Sequence, residues 1–475
     1  MTLLKSREAA ISKHFRHELG ASLSRRGFLG RLGATGLAAA SAPSLLADDV
    51  AAAQTGSDTP TNVTGIAQVR LRGKTGLWNV EIRDARIRRI SQQPLTGPTV
   101  INGGGKLLTE GLVEHHLHMD KALTEDRLKW DEASLKADQQ NYDDAQFRGF
   151  IFYRESLLSE ATFTEDDVFN RAMRMARMES SSGTTAIRSH SIVDEVRGLN
   201  CIKGLVRARQ AMRPFMDLQI SIYPQDNSRR SILLQRPQVV DLVRRGMQAG
   251  ADGVGGIPEL DWDHASDYID LVFRLATETG GFVDMHIDQT EGARANKFSH
   301  PIIVAKTRQY GMQGRVTASH SYSLAYQPAE KVLPVLDQMR DLGVDLSCSP
   351  DRFGKERVEI PRSHGVPVAL HSDNVRDPLI RGGSGNLIEA ADIYRRQMGI
   401  DSDEGLDAIF DLITTCPGQG IGLKDYGLHE GGRADLVLWD ADSVAHVILH
   451  EARPSYVLKG GKVVVQSGRD ANPSG

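Results

Sequence analysis

The feature that most constrains the fold is a set of eight short apolar segments that alternate with longer amphipathic ones. The long segments carry apolar residues at helical spacing, for example over 165–181 and 328–342. The predicted strands are 111–118, 185–190, 218–225, 253–258, 282–288, 316–320, 344–350 and 366–373. Eight strands that alternate with helices are typical of a closed (β/α)8 barrel rather than an open sheet. The sequence therefore predicts an α/β fold built on a TIM barrel.

Shorter segments with alternating polar and apolar residues flank the predicted barrel on both sides. They cover 68–71, 78–82, 86–90, 434–439, 456–458 and 461–465. Period-two alternation with glycines between the segments indicates antiparallel strands. We expect a small β-sandwich domain formed from both chain ends, 54–107 and 413–475, around a barrel domain of 108–412.

Residues 1–53 have the pattern of a cleaved export signal. Arg25 and Arg26 stand before Phe28 and Leu29, and a Gly/Ala-rich stretch follows that is too short and too mildly apolar for a stable membrane span. The paired arginines resemble the twin-arginine export signal of bacteria. We therefore expect export to the periplasm. The alternative is an N-terminal amphipathic helix in which the two arginines occur by chance.

Charge and cysteine content exclude several function classes. The chain of 475 residues has a formal net charge of −4 and no long basic run, which makes nucleic acid an unsuitable partner. Removal of the export signal would make the protein more acidic. The three cysteines, Cys201, Cys348 and Cys416, are too few and too scattered for a disulfide framework or a cysteine metal site. The remaining partner class is a small-molecule substrate, and the oligomeric state is left open, a homo-oligomer included.

Histidines and acids at the predicted strand ends point to a metal site. His116 and His118 share one face of the first strand because strand side chains alternate, whereas His115 points to the other face. Later strands end with His286, His320 and Asp373. Active sites of such barrels lie at these carboxyl ends. Three histidines and a carboxylate suit one divalent ion, Zn²⁺ or Fe²⁺, which can generate hydroxide from bound water at neutral pH.

Several motifs in the same order resemble the amidohydrolase superfamily. The resemblance is carried by 110–120, 223–225, 255–258, 283–286, 315–320 and 373–378, within 76–463. The branch most similar to the chain contains cytosine deaminase and triazine-hydrolysing relatives, N-isopropylammelide amidohydrolase among them. The resemblance implies a barrel with a single metal ion, because 257–259 contain no lysine to bridge two ions.

The same resemblance assigns roles to individual residues. It implies His116, His118, His286 and Asp373 as metal ligands, and Asp373 also as the acceptor of a proton from the attacking water. His320 would orient that water or polarise the bond under attack. Gln225 matches a glutamine that holds the substrate.

Two positions depart from the cytosine deaminase pattern. Gln289 stands where the branch has a proton-shuttling glutamate, and Asn374 stands where a second acid is usual. We assign Gln289 to the catalytic position and Asn374 to substrate binding. Because glutamine is neither an acid nor a base, either another acid supplies the proton or the leaving group of the substrate needs little help. Asp288, Asp377 and Glu259 are the alternatives, and the sequence does not decide among them. For His190 and His371 packing roles are expected.

The predicted activity is hydrolysis of a non-peptide C–N bond in a small cyclic amidine or amide, by attack of metal-bound hydroxide. One alternative is a ring-opening cyclic amidase of the same superfamily. Another is a catalytically weakened metal- or ligand-binding protein, which the glutamine at position 289 suggests.

Overall fold

The computed structural model describes residues 62–130, 158, 160–224, 236–259, 264–289, 297–350 and 357–467. The predicted export signal and Gln225 lie outside these residues. The described parts of 59–326 and 335–475 form one compact unit, and Gln327–Pro334 belongs to a separate one.

The strands and helices follow one another as the alternating pattern predicts. In chain order the strands are β1 (Gly65–Leu71), β2 (Trp78–Arg83), β3 (Arg86–Ser91), β4 (Val100–Asn102), β5 (Leu107–Glu110), β6 (Leu112–Leu117), β7 (Thr184–Val193), β8 (Asp217–Pro224), β9 (Gly253–Gly256), β10 (Phe282–Ile287), β11 (Val316–His320), β12 (Val344–Cys348), β13 (Val368–Leu370), β14 (Leu436–Trp439), β15 (Pro454–Lys459) and β16 (Lys462–Gln466). The α-helices are α1 (Glu165–Ser181), α2 (Asn200–Met212), α3 (Pro237–Gln248), α4 (Ala265–Thr279), α5 (His300–Gln309), α6 (Ala329–Leu342), α7 (Glu359–Ser363), α8 (Leu387–Met398), α9 (Asp403–Phe410), α10 (Thr415–Gly420) and α11 (Val444–Leu449).

Strands β6 to β13 form the predicted barrel. Each strand pairs in parallel with its neighbour along the chain, in the order β13-β12-β11-β10-β9-β8-β7-β6. A bridge between Leu117 and Asp373 joins the two ends of this sheet. The barrel strands are almost wholly buried, as expected for parallel strands covered on both faces.

The two chain ends build the second sheet. Its order is β16-β15-β14-β5-β1-β2-β3, with β4 on β1. Most of its pairs are antiparallel, as the alternation predicts, but β1 pairs in parallel with both β4 and β5. Its apolar face forms a core around Ile66, Val80 and Leu436. The domain boundaries stay a prediction.

Gly111 separates the second sheet from the barrel. β5 ends at Glu110 and β6 begins at Leu112. A Cβ atom at Gly111 would lie 2.3 Å from the side chain of Thr185, so only glycine allows β6 to approach β7 so closely here.

The eighth barrel strand is shorter than predicted. The pattern predicts a strand over 366–373, whereas β13 covers Val368–Leu370. Asp373 adopts a left-handed conformation with φ of 58°, so the backbone leaves the extended form before this residue. Among the described residues, no helix is long and apolar enough to cross a membrane.

Candidate metal centre

The strand ends bring the predicted ligands together. The Nε2 atoms of His118 and His286 are 3.2 Å apart, and the Asp373 Oδ1 atom lies 3.4 Å from His118 Nε2 and 3.6 Å from His116 Nε2. One donor atom from each of His116, His286, His320 and Asp373 lies within 4.8 Å of the others. The cluster therefore contains all four predicted ligands, with His320 beside them.

The histidines of the cluster are buried and neutral. Burial lowers the pKa of His116, His118, His286 and His320 well below the usual value, and the neighbouring imidazoles lower it further. Several ring nitrogens have no hydrogen-bond partner within the described part of the chain, among them His116 Nε2 and both nitrogens of His320. Unpaired buried polar atoms are costly, and neutral imidazoles are good metal ligands. The donor set therefore fits a divalent cation.

Ser319 fixes the orientation and the proton of the His116 ring. The Ser319 hydroxyl donates to Asp284 Oδ1 over 2.7 Å and lies 3.1 Å from His116 Nδ1. Because its one proton is used on Asp284, the hydroxyl accepts the Nδ1–H of His116. The lone pair of His116 then lies on Nε2, the atom that faces Asp373. This is the usual way in which a second hydrogen bond orients a ligating histidine.

Asp284, which accepts the hydrogen bond from Ser319, is a buried anion. Burial alone would raise its pKa, but His190 and Arg188 outweigh burial and hold the pKa well below the usual range. Arg188 Nη1 donates to Asp284 Oδ2 over 3.1 Å. Asp284 lies two residues before His286, on the same face of β10. The period-two spacing of Asp284 and His286 is visible in the sequence and is the signal that could have identified Asp284.

Two further histidines lie against the ring of His116. The ring centres of His190 and His116 are 3.9 Å apart, and His371 stacks on His116 at 4.6 Å. The sequence predicts packing roles for both residues, and the structure places them in contact with a predicted ligand. His190 also forms a possible donor group with His116 and Asp284.

The other predicted site residues have different surroundings. Asn374 is buried, and its Oδ1 atom has no hydrogen-bond partner. Gln289 is half-buried, and its backbone N–H donates to Glu259 Oε1 over 3.0 Å. Gln225 lies outside the described residues. The roles assigned to individual residues stay predictions.

The structure separates two of the acids that the sequence left as alternatives. Asp288 accepts hydrogen bonds from the backbone and hydroxyl of Ser299 and from the Ser323 hydroxyl, at 2.5–2.8 Å. Burial alone would raise the pKa of Asp288, but His300 and these hydrogen bonds lower it. For Glu259, burial and the nearby Asp288 raise the pKa well above the usual value. Asp288 is therefore the stronger acid of the two and a hydrogen-bond acceptor, whereas Glu259 holds its proton more tightly.

Glu259 also borders a small cavity. The cavity has a volume of about 200 Å³ and is lined by Ala265, Ser266, Lys297, Phe298, Ser299 and Ile302 besides Glu259. Among the residues that the structure describes, the Oε2 atom of Glu259 has no hydrogen-bond partner, whereas Oε1 accepts from Gln289. One oxygen of this carboxyl group is therefore available to another proton donor or acceptor.

A parallel barrel with histidines and a carboxylate at its strand ends defines a metal-dependent hydrolase. The chain belongs to the amidohydrolase family, whose family model matches residues 144–465. The sequence is 25% identical to N-isopropylammelide isopropyl amidohydrolase from Pseudomonas sp. strain ADP, over 84% of this chain and 96% of that protein.

Solved structures agree with this assignment. N-isopropylammelide isopropylaminohydrolase from Burkholderia multivorans has 27% identity and a TM-score of 0.73, over 85% of this chain and 99% of its own. 5-Methylcytosine deaminase from Klebsiella pneumoniae has 24% identity and the same TM-score, over 86% of this chain and 98% of its own, and it supports the fold alone.

The comparisons confirm the predicted barrel and the superfamily branch. They also confirm the enzyme class, a metal-dependent hydrolase that acts on carbon–nitrogen bonds other than peptide bonds.

Proposed function

We propose that the enzyme hydrolyses a C–N bond of a small nitrogen heterocycle and releases ammonia or an amine. The observation that carries the proposal is the convergence of His116, His118, His286 and Asp373 at the strand ends. The similarity to N-isopropylammelide hydrolases over most of both chains favours a cyclic amidine or amide as the substrate class.

Each residue of the site has a proposed role in such a reaction. His116, His118, His286 and Asp373 would hold one divalent ion, zinc or iron. The chemistry that such an ion supplies is a lowered pKa for the attacking water. Asp373 would take the proton of that water. His320, at the same centre, would orient the water or polarise the bond that breaks. Asn374 and Gln225 would bind the substrate.

We assign Glu259 as the general acid that donates a proton to the departing nitrogen. Gln289 has no proton to give, and the Asp288 carboxylate is ionised and occupied by three hydrogen bonds. Glu259 accepts a hydrogen bond from the backbone of Gln289, and its second oxygen has no partner among the described residues. Its proton would pass to the leaving nitrogen directly or through one water. Glu259 would then regain a proton from water in the adjoining cavity, and Asp373 would release the proton that it had taken.

A carboxyl exchange tests this assignment. We expect Glu259→Gln to lower kcat by 10²–10⁴-fold, the usual contribution of a general acid. The double variant Glu259→Gln/Gln289→Glu moves the carboxyl group to the position that the cytosine deaminase branch uses, and we expect it to recover part of kcat. A Glu259→Gln enzyme with wild-type kcat would move the assignment to Asp377.

The activity itself is tested with full-length protein loaded with Zn²⁺ or Fe²⁺. Amine and ammonia release are measured over a panel of aminotriazines, aminopyrimidines, pterins and cyclic amides. Mass spectrometry of the products separates the ring-opening alternative, because ring opening adds one water and loses no fragment. If neither metal form changes any compound of the panel, the proposal fails.

Gln289 gives specific support to the second candidate, a weakened binding protein. In that case wild type would bind heterocycles without turnover, and Gln289→Glu alone would produce a large gain in cytosine deamination.

Export by the twin-arginine route is part of the proposal. Its support is the sequence Arg25-Arg26-Gly27-Phe28-Leu29 ahead of a mildly apolar stretch. The test is cell fractionation of wild type and of the double variant Arg25→Lys/Arg26→Lys. We expect the wild type in the periplasm and the variant in the cytoplasm, and equal distributions would contradict export by this route.

A further inference from the structure

The barrel seam is the junction between β6 and residues 371–374, which follow β13. β13 has only three residues, and a single bridge, Leu117 with Asp373, links the two strand ends. Two backbone hydrogen bonds accompany the bridge. Asp373 donates to the His116 carbonyl over 2.9 Å, and His118 donates to the Asp373 carbonyl over 3.0 Å. The seam therefore lies at the predicted metal ligands themselves.

Glu114 spans this seam with both oxygens of its carboxyl group. Oε1 accepts from the backbone N–H of His116 over 2.9 Å, and Oε2 accepts from the backbone N–H of Ser372 over 2.9 Å. The β6–β7 pairing is irregular between Glu114 and Leu117, so the regular ladder is interrupted at His116. The Glu114 side chain is completely buried. It supplies at the seam the acceptors that a regular neighbouring strand would otherwise provide.

The two backbone groups that donate to Glu114 adjoin predicted ligands from the first and the eighth barrel strands, which meet at the seam. His116 is one ligand, and Ser372 precedes Asp373, whose left-handed conformation must be stabilised by its surroundings. We propose that Glu114 is a positioning residue that sets the separation of His116 and Asp373 and so determines the affinity for the metal. This inference rests on the proposed metal-dependent function.

The geometry requires a carboxyl group with two acceptor oxygens, one for each backbone N–H. A glutamine at position 114 has one acceptor and one N–H₂ donor, so it leaves one backbone N–H facing another donor. An aspartate keeps both acceptors, but it is one methylene shorter and cannot reach both N–H groups. Glu114→Gln therefore tests the number of acceptors, and Glu114→Asp tests the reach of the side chain.

The test measures Zn²⁺ affinity of the full chain by competition with a chelator. We expect the Kd for Zn²⁺ to rise on the order of 10- to 100-fold in Glu114→Gln, the range typical of residues that orient metal ligands. A smaller rise is expected in Glu114→Asp. At saturating Zn²⁺, kcat should fall while KM stays close to the wild-type value, because the substrate contacts are intact.

Glu110 provides the matched control. It is also a buried glutamate, and its carboxyl group pairs with Arg72 at 3.6 Å. We expect Glu110→Gln to keep the wild-type Kd. Unchanged affinity in both Glu114 variants, or an equal loss in Glu110→Gln, overturns the inference. If the wild type itself binds neither Zn²⁺ nor Fe²⁺, the proposed function fails, independently of Glu114.

Discussion

Ser319 illustrates how single residues away from the motif determine the state of a predicted ligand. Its hydroxyl connects the Asp284 carboxylate to His116 Nδ1, and this contact leaves Nε2 of His116 unprotonated. Arg188 compensates the charge of Asp284 from β7. A buried row of arginine, aspartate, serine and histidine thus defines which nitrogen of His116 faces the centre.

Removal of the Ser319 hydroxyl should weaken metal binding. In Ser319→Ala the buried Nδ1–H of His116 loses its acceptor, which costs about 1–3 kcal/mol. We expect the Kd for Zn²⁺ to rise on the order of tenfold, measured by chelator competition. The control is Ser221→Ala, because the buried Ser221 hydroxyl has no hydrogen-bond partner. Equal effects of the two substitutions would contradict the role of Ser319.

Glu259 should make the stability of the protein depend on pH in a defined direction. Burial and Asp288 raise the pKa of Glu259 in the folded state. Above the pKa of the unfolded chain, the folded state therefore binds a proton that the unfolded state has lost, and stability falls as pH rises. We expect Glu259→Gln to raise Tm relative to wild type, by an amount that grows from pH 4 to pH 8. The exposed Glu451→Gln control should show no such trend, and a constant difference would contradict the raised pKa.

The sequence predicts a site residue only where the pattern within a single strand, or its place at the end of that strand, identifies it. His116 and His118 were predicted from period-two spacing, and His286, His320 and Asp373 from their places at strand ends. The structure brings these residues together. Glu114, Ser319 and Asp284 were not predicted. Glu114 and Ser319 each have one partner more than 200 residues away, Ser372 for Glu114 and His116 for Ser319. Local periodicity contains no information about such pairs.

At the scale of elements, the order and the parallel pairing of the eight barrel strands followed from the sequence. The length of β13 did not, because the left-handed conformation of Asp373 depends on bonds to β6 across the seam. The contacts between the second sheet and the barrel could also not be predicted from the sequence. Lys459 at the end of β15 donates to Asp217 and Asp435 over 2.8 Å and to the Thr185 carbonyl over 3.0 Å.

Loss of the Lys459 ammonium should destabilise this interface. Lys459 and Asp435 are both buried, so Lys459→Met leaves buried carboxylate charge with only Arg433 as a cationic partner. We expect a loss of about 3 kcal/mol in the free energy of unfolding, measured with urea. Lys106→Met is the control, because half-exposed Lys106 pairs only within the second sheet, with Asp440 and Ser455. It should cost less than about 1 kcal/mol.

At the scale of the whole molecule, the predicted ligands come from strands at both ends of the barrel sheet. His116 and His118 belong to the first strand, His286 to the fifth, and Asp373 follows the eighth. A metal ion that binds all four contacts the chain across the seam, where a single bridge joins β6 to the end of the eighth strand. Metal binding and barrel closure should therefore be coupled.

This coupling predicts that the metal stabilises the entire fold. Free Zn²⁺ at about 1,000 times its Kd should add about 4 kcal/mol to the free energy of unfolding, because the unfolded chain does not hold the four ligands together. Tm should rise on addition of Zn²⁺ to chelator-treated protein and return to its former value when the chelator is restored. In His286→Asn the shift should disappear, since one ligand from the fifth strand is lost. An equal Zn²⁺-dependent shift in wild type and His286→Asn would show that the ion binds elsewhere. Metal binding at the strand ends would then not contribute to the stability of the closed barrel.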